Sequence, residues 1–157
     1  MKPVVKKKLE DFYKLFKPQL TPKNMLEMGV FGGSYFGGKI KEYPKSWFKN
    51  AKLSKTFDVE KNRFRVKAGL TRKEWLDKGW IFKEDPLGWF QWFCRFKNGR
   101  RIPEIDQIQI KRWKAFGDRH VPASIRFKAS SIIVSFCLSL WFKDRDKSLS
   151  LSLEALS

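Results

Sequence analysis

One stretch of the sequence, Asp85–Phe116, constrains the fold more than any other part of the chain. It contains three of the seven Trp residues and a dense set of Lys and Arg residues. The Asp-Pro pair at its start is typical of a helix N-terminus, Gly99 of a helix C-terminus, and Pro103 of a second N-terminus. The pattern predicts a hairpin of two helices with an aromatic interior and a cationic rim, in which the second helix runs to about residue 116.

The first helix of this hairpin carries large aromatic residues at the i, i+3, i+4 and i+7 positions, which share one helix face. These residues are Trp89, Trp92, Phe93 and Phe96. An aromatic stripe with this spacing is more often part of a core than a platform for stacking bases, because a stacking platform needs exposed rings. We therefore expect the stripe to be buried.

Helix signals recur in the N-terminal part of the chain. Residues 1–20 predict a basic amphipathic helix that ends before Pro18. Its apolar face consists of Leu9, Phe12, Tyr13 and Phe16. Thr21 and Pro22 predict the start of a second, short helix, which Gly29 can close in the left-handed conformation.

The segment that follows contains two Gly-Gly pairs, in the sequence VFGGSYFGGK. It lacks the Gly-Lys-Ser/Thr ending of a Walker loop and carries no dinucleotide-binding fingerprint. We predict a tight loop whose Tyr35 and Phe36 pack on the core. A short helical turn is expected around Trp47, and Thr71 with Glu74 forms a capping box for a further helix.

Together these patterns predict a mainly α protein: a single small domain of several short helices and long ordered loops around an aromatic-rich core. The chain has 157 residues, of which 16% are aromatic, and this is enough to bury such a core without metals or disulfides. We divide it into an N-terminal helix over residues 1–20, a globular domain over 21–120 and a C-terminal tail over 121–157.

The tail differs in composition from the rest of the chain and is rich in Ser and Leu. It holds 5 of the 34 basic and 3 of the 16 acidic residues. Its SLSLSL motif is what a TC dinucleotide repeat in DNA would encode, so we hypothesise that residues after about His120 derive from an intron or an alternative exon. The alternative is a native strand or helix over Ser131–Phe142 that is followed by a flexible tail.

A formal charge of +18 and a pI near 10.1 favour a polyanionic partner, because each Lys or Arg that neutralises a phosphate releases a counterion. Nucleic acid, either DNA or RNA, is the first candidate and an anionic membrane surface is the second. The alternative is a basic surface without such a partner. The candidate phosphate contacts lie in the turn between the two helices and in the second helix: Arg95, Lys97, Arg100, Arg101, Lys111, Arg112 and Lys114.

A protein-interaction or structural domain is the second class of function, with an acidic protein as the possible partner. A contiguous exposed aromatic patch would favour that class, and a continuous basic stripe would favour phosphate binding. The oligomeric state is left open by the sequence.

Nothing in the sequence indicates a reaction or a cofactor. Cys94 and Cys137 form no CxxC pair and the chain has one His, so neither a metal site nor a disulfide framework is expected. Cys94 beside Arg95 could be an activated nucleophile, but a Cys within an aromatic helix is more often a core residue. No membrane-spanning helix or secretory signal is predicted, so the expected location is the cytoplasm or the nucleus.

Three blocks of the sequence resemble a small, uncharacterised protein family of bacteria, fungi, algae, plants and large viruses. The blocks are TPKNMLEMGVFGGSYF at 21–36, YPKSWFKNAKLS at 43–54 and the stretch 85–120, where the family usually reads DPRGWFQWYCRYYxGRR and then RQIKRW. The most specific matches are GWFQW at 88–92, GRR at 99–101 and IKRW at 110–113. Phe93 and Phe96 stand where tyrosines are usual, and the tail departs from the family pattern. The resemblance implies a domain over 21–120 and implies no chemistry, because the family has no established activity.

Overall fold

The computed structural model describes residues 3–63, 65 and 72–120, with side chains from residue 8 to residue 115 within these ranges. In this part of the chain there is no β-strand, and one isolated antiparallel bridge joins Phe82 to Asp85. The helices are α1 (Pro3–Lys14), α2 (Pro22–Glu27), α3 (Arg72–Asp77), α4 (Trp89–Lys97) and α5 (Pro103–His120), and 3-10 turns cover Val30–Gly33, Lys45–Trp47 and Val59–Lys61. The predicted mainly α fold with several short helices is confirmed.

Two predictions concern residues outside these ranges. They are the capping residue Thr71, which precedes α3, and the origin and structure of the tail 121–157. Among the described helices, none has the length and apolar composition that a membrane crossing requires.

Helix α4 is the centre of the core because it is apolar on nearly every side. Trp92, Phe93 and Cys94 are completely buried, and Phe90, on another side of the helix, is 1% exposed. A helix that is apolar all round is stable only when other elements cover it on all sides. The aromatic stripe is therefore core, as its spacing predicts.

The chain after α1 covers one side of α4 with the ring of Phe16. This ring lies edge-on to Phe93 at 5.9 Å and to Phe96 at 5.4 Å, measured between ring centroids. It also lies edge-on to Trp113 of α5 at 5.0 Å. Edge-to-face contacts of this kind add to the apolar burial of each ring. One phenylalanine thus ties the N-terminal segment to both helices of the hairpin.

The glycine-rich loop covers the opposite side of α4. Phe36 is buried against Phe90, and the Tyr35 hydroxyl donates to the Leu87 carbonyl and accepts from the Gln91 backbone N–H at 3.1 Å. Burial raises the pKa of Tyr35 well above its ordinary value, so the phenol keeps the proton that it donates. The prediction that this loop packs its aromatic residues on the core is confirmed.

Helix α2 begins and ends where its sequence predicts. The Thr21 side chain accepts a hydrogen bond from the Asn24 backbone N–H, and the Asn24 side chain accepts one from the Thr21 backbone N–H. Gly29 follows the helix with a φ of 70°. These local bonds satisfy the free N–H groups at the start of the helix, and the glycine permits the left-handed turn at its end.

The hairpin differs from its prediction at two helix ends. The Asp85-Pro86 pair does not start α4, which begins at Trp89 because Gly88 has a non-helical backbone with a φ of 94°. The Asp85 carboxylate is buried against arginine side chains instead of capping the helix. Gly117 does not end α5, which continues to His120. One glycine inside a long helix costs only about 1 kcal/mol relative to alanine, and a long helix tolerates this cost.

Two glycines with similar backbone conformations provide a test of the packing around α2. A Cβ on Gly29 would lie 1.9 Å from the Lys61 carbonyl oxygen, whereas a Cβ on Gly37 would meet nothing within 4 Å. We expect Gly37→Ala to lower the free energy of unfolding by about 1 kcal/mol through backbone strain alone. Gly29→Ala should cost at least about 2 kcal/mol more, since the backbone must move. Urea unfolding measures both, and equal losses would contradict the close approach.

Candidate functional site

A buried carboxylate organises the basic turn between α4 and α5. The Asp85 side chain is fully buried, and its two oxygens accept hydrogen bonds from different arginines. Arg95 donates through Nη1 to Oδ1 at 3.1 Å, and Arg100 donates through Nη2 to Oδ2 at 2.6 Å. A charge this deeply buried is tolerated only when opposite charges and hydrogen bonds compensate for lost hydration. Asp85 therefore fixes both arginines in place.

Arg95 is also held by a second carboxylate. Its Nε donates to one oxygen of Glu42, and its Nη2 donates to the other at 2.8 Å, which is the two-pronged geometry typical of arginine and carboxylate. This contact lowers the pKa of Glu42 below its ordinary value of 4.5 and raises the pKa of Arg95. Glu42, Asp85, Arg95 and Arg100 form the carboxylate–arginine cluster.

The carboxylate–arginine cluster affects two of the predicted phosphate contacts. Arg95 and Arg100 both reach the surface only partly, with side chains that are 22% and 25% exposed. Their charge is balanced by two carboxylates within the same cluster. The structure thus gives these arginines a structural role in positioning the turn, which leaves less of their charge for an external phosphate.

A second buried carboxylate, Asp106, joins three helices and forms no ion pair with the cations that the structure describes. It accepts hydrogen bonds from the Tyr13 hydroxyl at 2.9 Å, the Trp92 indole N–H at 2.8 Å and the Ile102 backbone N–H at 2.9 Å. The last of these caps α5, which agrees with a structural role for the acidic residues at its start. Burial, and then the bond to Asp106, raises the pKa of Tyr13. Asp106 fixes the position of α5 relative to α1 and α4.

Two other predicted residues, Lys97 and Arg101, lie on aromatic rings at the end of the hairpin. The Lys97 ammonium is 5.8 Å from the ring centroid of Phe16, and the Arg101 guanidinium carbon is 3.8 Å from that of Phe96. Arg101 also donates to the Phe96 carbonyl at 2.6 Å. Burial and the charge of Arg101 lower the pKa of Lys97. Within the described residues neither cation has a carboxylate partner.

Helix α5 divides its three predicted cations between two sides. Lys111 and Lys114 are exposed and one turn apart, so they project from the same face. Arg112 turns inward instead, donates to the Trp80 carbonyl at 3.1 Å and lies 5.3 Å from the ring centroid of Phe82. Burial lowers the pKa of Arg112. Arg112 therefore packs α5 against the segment before α4.

The exposed cations form two groups along the hairpin. Lys97 and Arg101 lie at the end where α4 passes into α5, and Lys111 with Lys114 lies 8 to 11 positions after Pro103. At a rise of about 1.5 Å per residue, the second pair is about 12 to 16 Å along α5 from its start. Phosphates of one nucleic-acid strand follow one another every 3.4 Å or so along the duplex axis. The second pair is thus several such spacings along α5 from the start of the helix.

A third group of cations was not among the predicted phosphate contacts, although counting the charged residues along the sequence identifies it. The lysine-rich stretch, residues 39–55, contains six Lys and one acidic residue, Glu42. All six lysines are exposed, whereas Glu42 is engaged by Arg95. The Asn98 side chain donates to the Glu42 carbonyl at 3.4 Å, so this stretch adjoins the C-terminal end of α4. The lysines are Lys39, Lys41, Lys45, Lys49, Lys52 and Lys55.

Neither a catalytic group nor a relative identifies this site. In the part of the chain that the structure describes, no group of three or more His, Cys, Asp or Glu residues could hold a metal ion. Cys94 is fully buried, and burial raises the pKa of its thiol well above the ordinary value, which disfavours the nucleophilic thiolate. Comparisons of the chain with protein-family models, with curated proteins and with solved structures found no match. The distribution of charge is the feature from which a function can be inferred.

The carboxylate–arginine cluster predicts a large effect of one neutral substitution. Asp85→Asn leaves two partly buried arginines without their shared countercharge, so we expect the free energy of unfolding to fall by about 3 kcal/mol. Urea unfolding at pH 7 measures this loss. Glu84→Gln, at the exposed neighbouring position, is the matched control and should cost less than about 0.5 kcal/mol. Similar losses in the two variants would show that the buried ion pairs are not essential.

The Glu42 contact predicts a pH dependence with a defined sign. Because the folded pKa of Glu42 is lowered, its carboxylate stabilises the fold above pH 4.5, and this contribution disappears as pH falls through the folded pKa. Glu42→Gln should therefore cost up to about 1 kcal/mol at pH 7, since the pair is partly exposed. The difference between parent and variant should vanish in unfolding curves recorded well below pH 4.5. Glu10→Gln, at an exposed position of α1, is the matched control and should cost less than about 0.5 kcal/mol at pH 7.

Proposed function

We propose that the protein binds nucleic acid by contacting its phosphates with Lys97, Arg101, Lys111 and Lys114. This proposal rests on a difference among the hairpin cations: some are paired with carboxylates and others are not. Arg95 and Arg100 are neutralised within the carboxylate–arginine cluster, whereas the four proposed contacts have no carboxylate partner in the described residues. An external anion can therefore supply a countercharge that the described residues do not provide.

The two cations at the turn between α4 and α5 favour anion binding for a physical reason. Lys97 and Arg101 lie near each other on the same aromatic surface, and the lowered pKa of Lys97 reflects both its burial and the nearby positive charge. A phosphate between them would relieve this repulsion and accept charge-assisted hydrogen bonds. Arg95 and Arg100 support the same contact indirectly, because they hold the turn in position.

Phosphate contacts position a nucleic acid and carry no base sequence information. The proposed interaction is accordingly one with strong salt dependence and little preference for sequence. Lys111 and Lys114 add exposed positive charge along α5. Arg112, which donates to the Trp80 carbonyl, contributes less to phosphate binding because its guanidinium is partly buried.

The exposed apolar residues give less support to a protein-interaction domain. Among the described residues, five large apolar side chains are between 39% and 56% exposed, and they come from different segments of the sequence: Leu15, Leu53, Phe57, Leu76 and Ile108. Isolated exposed apolar side chains are normal on protein surfaces and do not indicate a docking site. An acidic protein partner would have to use the same cations, and nucleic acid would then compete with it.

The α5 lysines provide the sharpest test because they form no hydrogen bond or ion pair with the side chains that the structure describes. We expect Lys111→Ala/Lys114→Ala to weaken binding to a fluorescent DNA duplex and to RNA of unrelated sequence alike. The slope of log Kobs against log salt concentration should decrease in magnitude by about 2, since each lost phosphate contact removes about one released counterion. Fluorescence anisotropy at several salt concentrations measures both quantities.

The control for this test is Lys73→Ala/Lys83→Ala. Both residues are exposed and lie outside the hairpin cations, and the substitution changes the net charge by the same amount. The control should retain the parent slope to within about half a unit, which is less than one phosphate contact contributes. Equal slopes for all three proteins, or no binding by the parent at low salt, would contradict the proposed function.

A further inference from the structure

The lysine-rich stretch places an aromatic side chain among exposed cations. Trp47 ends the 3-10 turn Lys45–Trp47 and is partly exposed, and its ring stacks on that of Tyr43 with centroids 6.0 Å apart and planes 16° apart. Tyr43 is itself buried and 5% exposed. Lys45 and Lys49 stand two positions before and after Trp47, and both are exposed. The core thus supports an indole that two lysines flank at the surface.

This arrangement adjoins the hairpin through direct contacts. Glu42, one residue before Tyr43, bonds to Arg95 through its side chain and to Asn98 through its carbonyl. Residues 42–47 therefore connect the contact with the C-terminal end of α4 to Trp47. Cations and one partly exposed ring lie along this path.

We propose that the lysine-rich stretch extends the phosphate-binding site into a track for single-stranded nucleic acid, on which Trp47 stacks against a base. Lys45 and Lys49 contact the phosphates on either side of that base. The inference rests on the proposed function and adds that the nucleic acid is single-stranded. DNA and RNA share the chemistry in question, because every base has a flat aromatic face.

The structure favours a single strand over a duplex on this stretch for two reasons. Bases in a duplex are stacked on each other, so their faces are closed to a protein ring unless the helix is distorted. Reading a duplex usually requires a helix or a two-stranded ribbon that enters the major groove. Residues 39–55 contain one three-residue 3-10 turn and no α-helix or strand.

The test compares three labelled probes: 12-residue oligo-dT, 12-residue oligo-U and a 12-base-pair DNA duplex. Trp47→Ala should weaken binding to both single strands by about tenfold, because a stacked base is lost, and should change duplex binding less than twofold. Lys45→Ala/Lys49→Ala should lower the salt slope for the single strands by about 1.4, which is two contacts at the value for single strands. The matched control is again Lys73→Ala/Lys83→Ala, with no change expected for any probe.

Because Trp47 packs on Tyr43, Trp47→Ala could also disturb the fold, and a second variant distinguishes the two effects. Trp47→Phe keeps an aromatic ring at this position and should retain binding to within about threefold. Oligo-dT should quench the tryptophan fluorescence of the parent, and Trp47→Phe should lose a measurable part of that quenching while its thermal unfolding midpoint stays close to that of the parent. Unchanged quenching in Trp47→Phe would overturn the stacking contact even if Trp47→Ala could not be purified.

The outcomes separate this inference from the function on which it rests. A parent that binds all three probes, with single-strand affinity unaffected by Trp47→Phe, Trp47→Ala and the Lys45/Lys49 substitutions, overturns the single-strand track and leaves the α5 phosphate site intact. A parent that binds none of the probes at low salt overturns the proposed function itself. Loss of single-strand affinity with retained duplex binding supports both.

Discussion

The burial of Asp85 between two arginines is the interaction on which the basic turn depends. Removing a carboxylate from water costs several kcal/mol, and the paired charges of Arg95 and Arg100 compensate for this cost. Asp85 pairs with these arginines and does not cap α4, which begins at Trp89 after the non-helical Gly88. Because Arg95 also binds Glu42, the turn is connected to a segment far away in the sequence.

Two buried carboxylates hold the hairpin by different chemistry. Asp85 is satisfied by charge, whereas Asp106 is satisfied by the hydroxyl of Tyr13, the indole of Trp92 and a backbone N–H. Together they fix both ends of the connection between α4 and α5. Lys97, which lies outside these networks, therefore ends a helix and precedes a turn that the two carboxylates hold in place.

Three patterns that depend on neighbours in the sequence were predicted correctly. The aromatic stripe of α4 is buried, the Thr21 cap and Gly29 delimit α2, and the glycine-rich loop packs Phe36 on the core. Each of these features depends on side-chain spacing or backbone preference within about four residues, which a sequence displays directly. The role of Asp85 was predicted wrongly, because its partners lie ten and fifteen positions further along the chain.

The sequence by itself determined that the protein is mainly α, that its core is aromatic and that its surface is strongly basic. These properties follow from periodicity and from a count of charges. Only the tertiary structure decided which cations are balanced and which are not. Arg95 meets Glu42 across 53 positions of sequence, and Lys97 meets no carboxylate in the described residues. Charge pairing depends on distances in space, and folding sets these distances through contacts that are far apart in the chain.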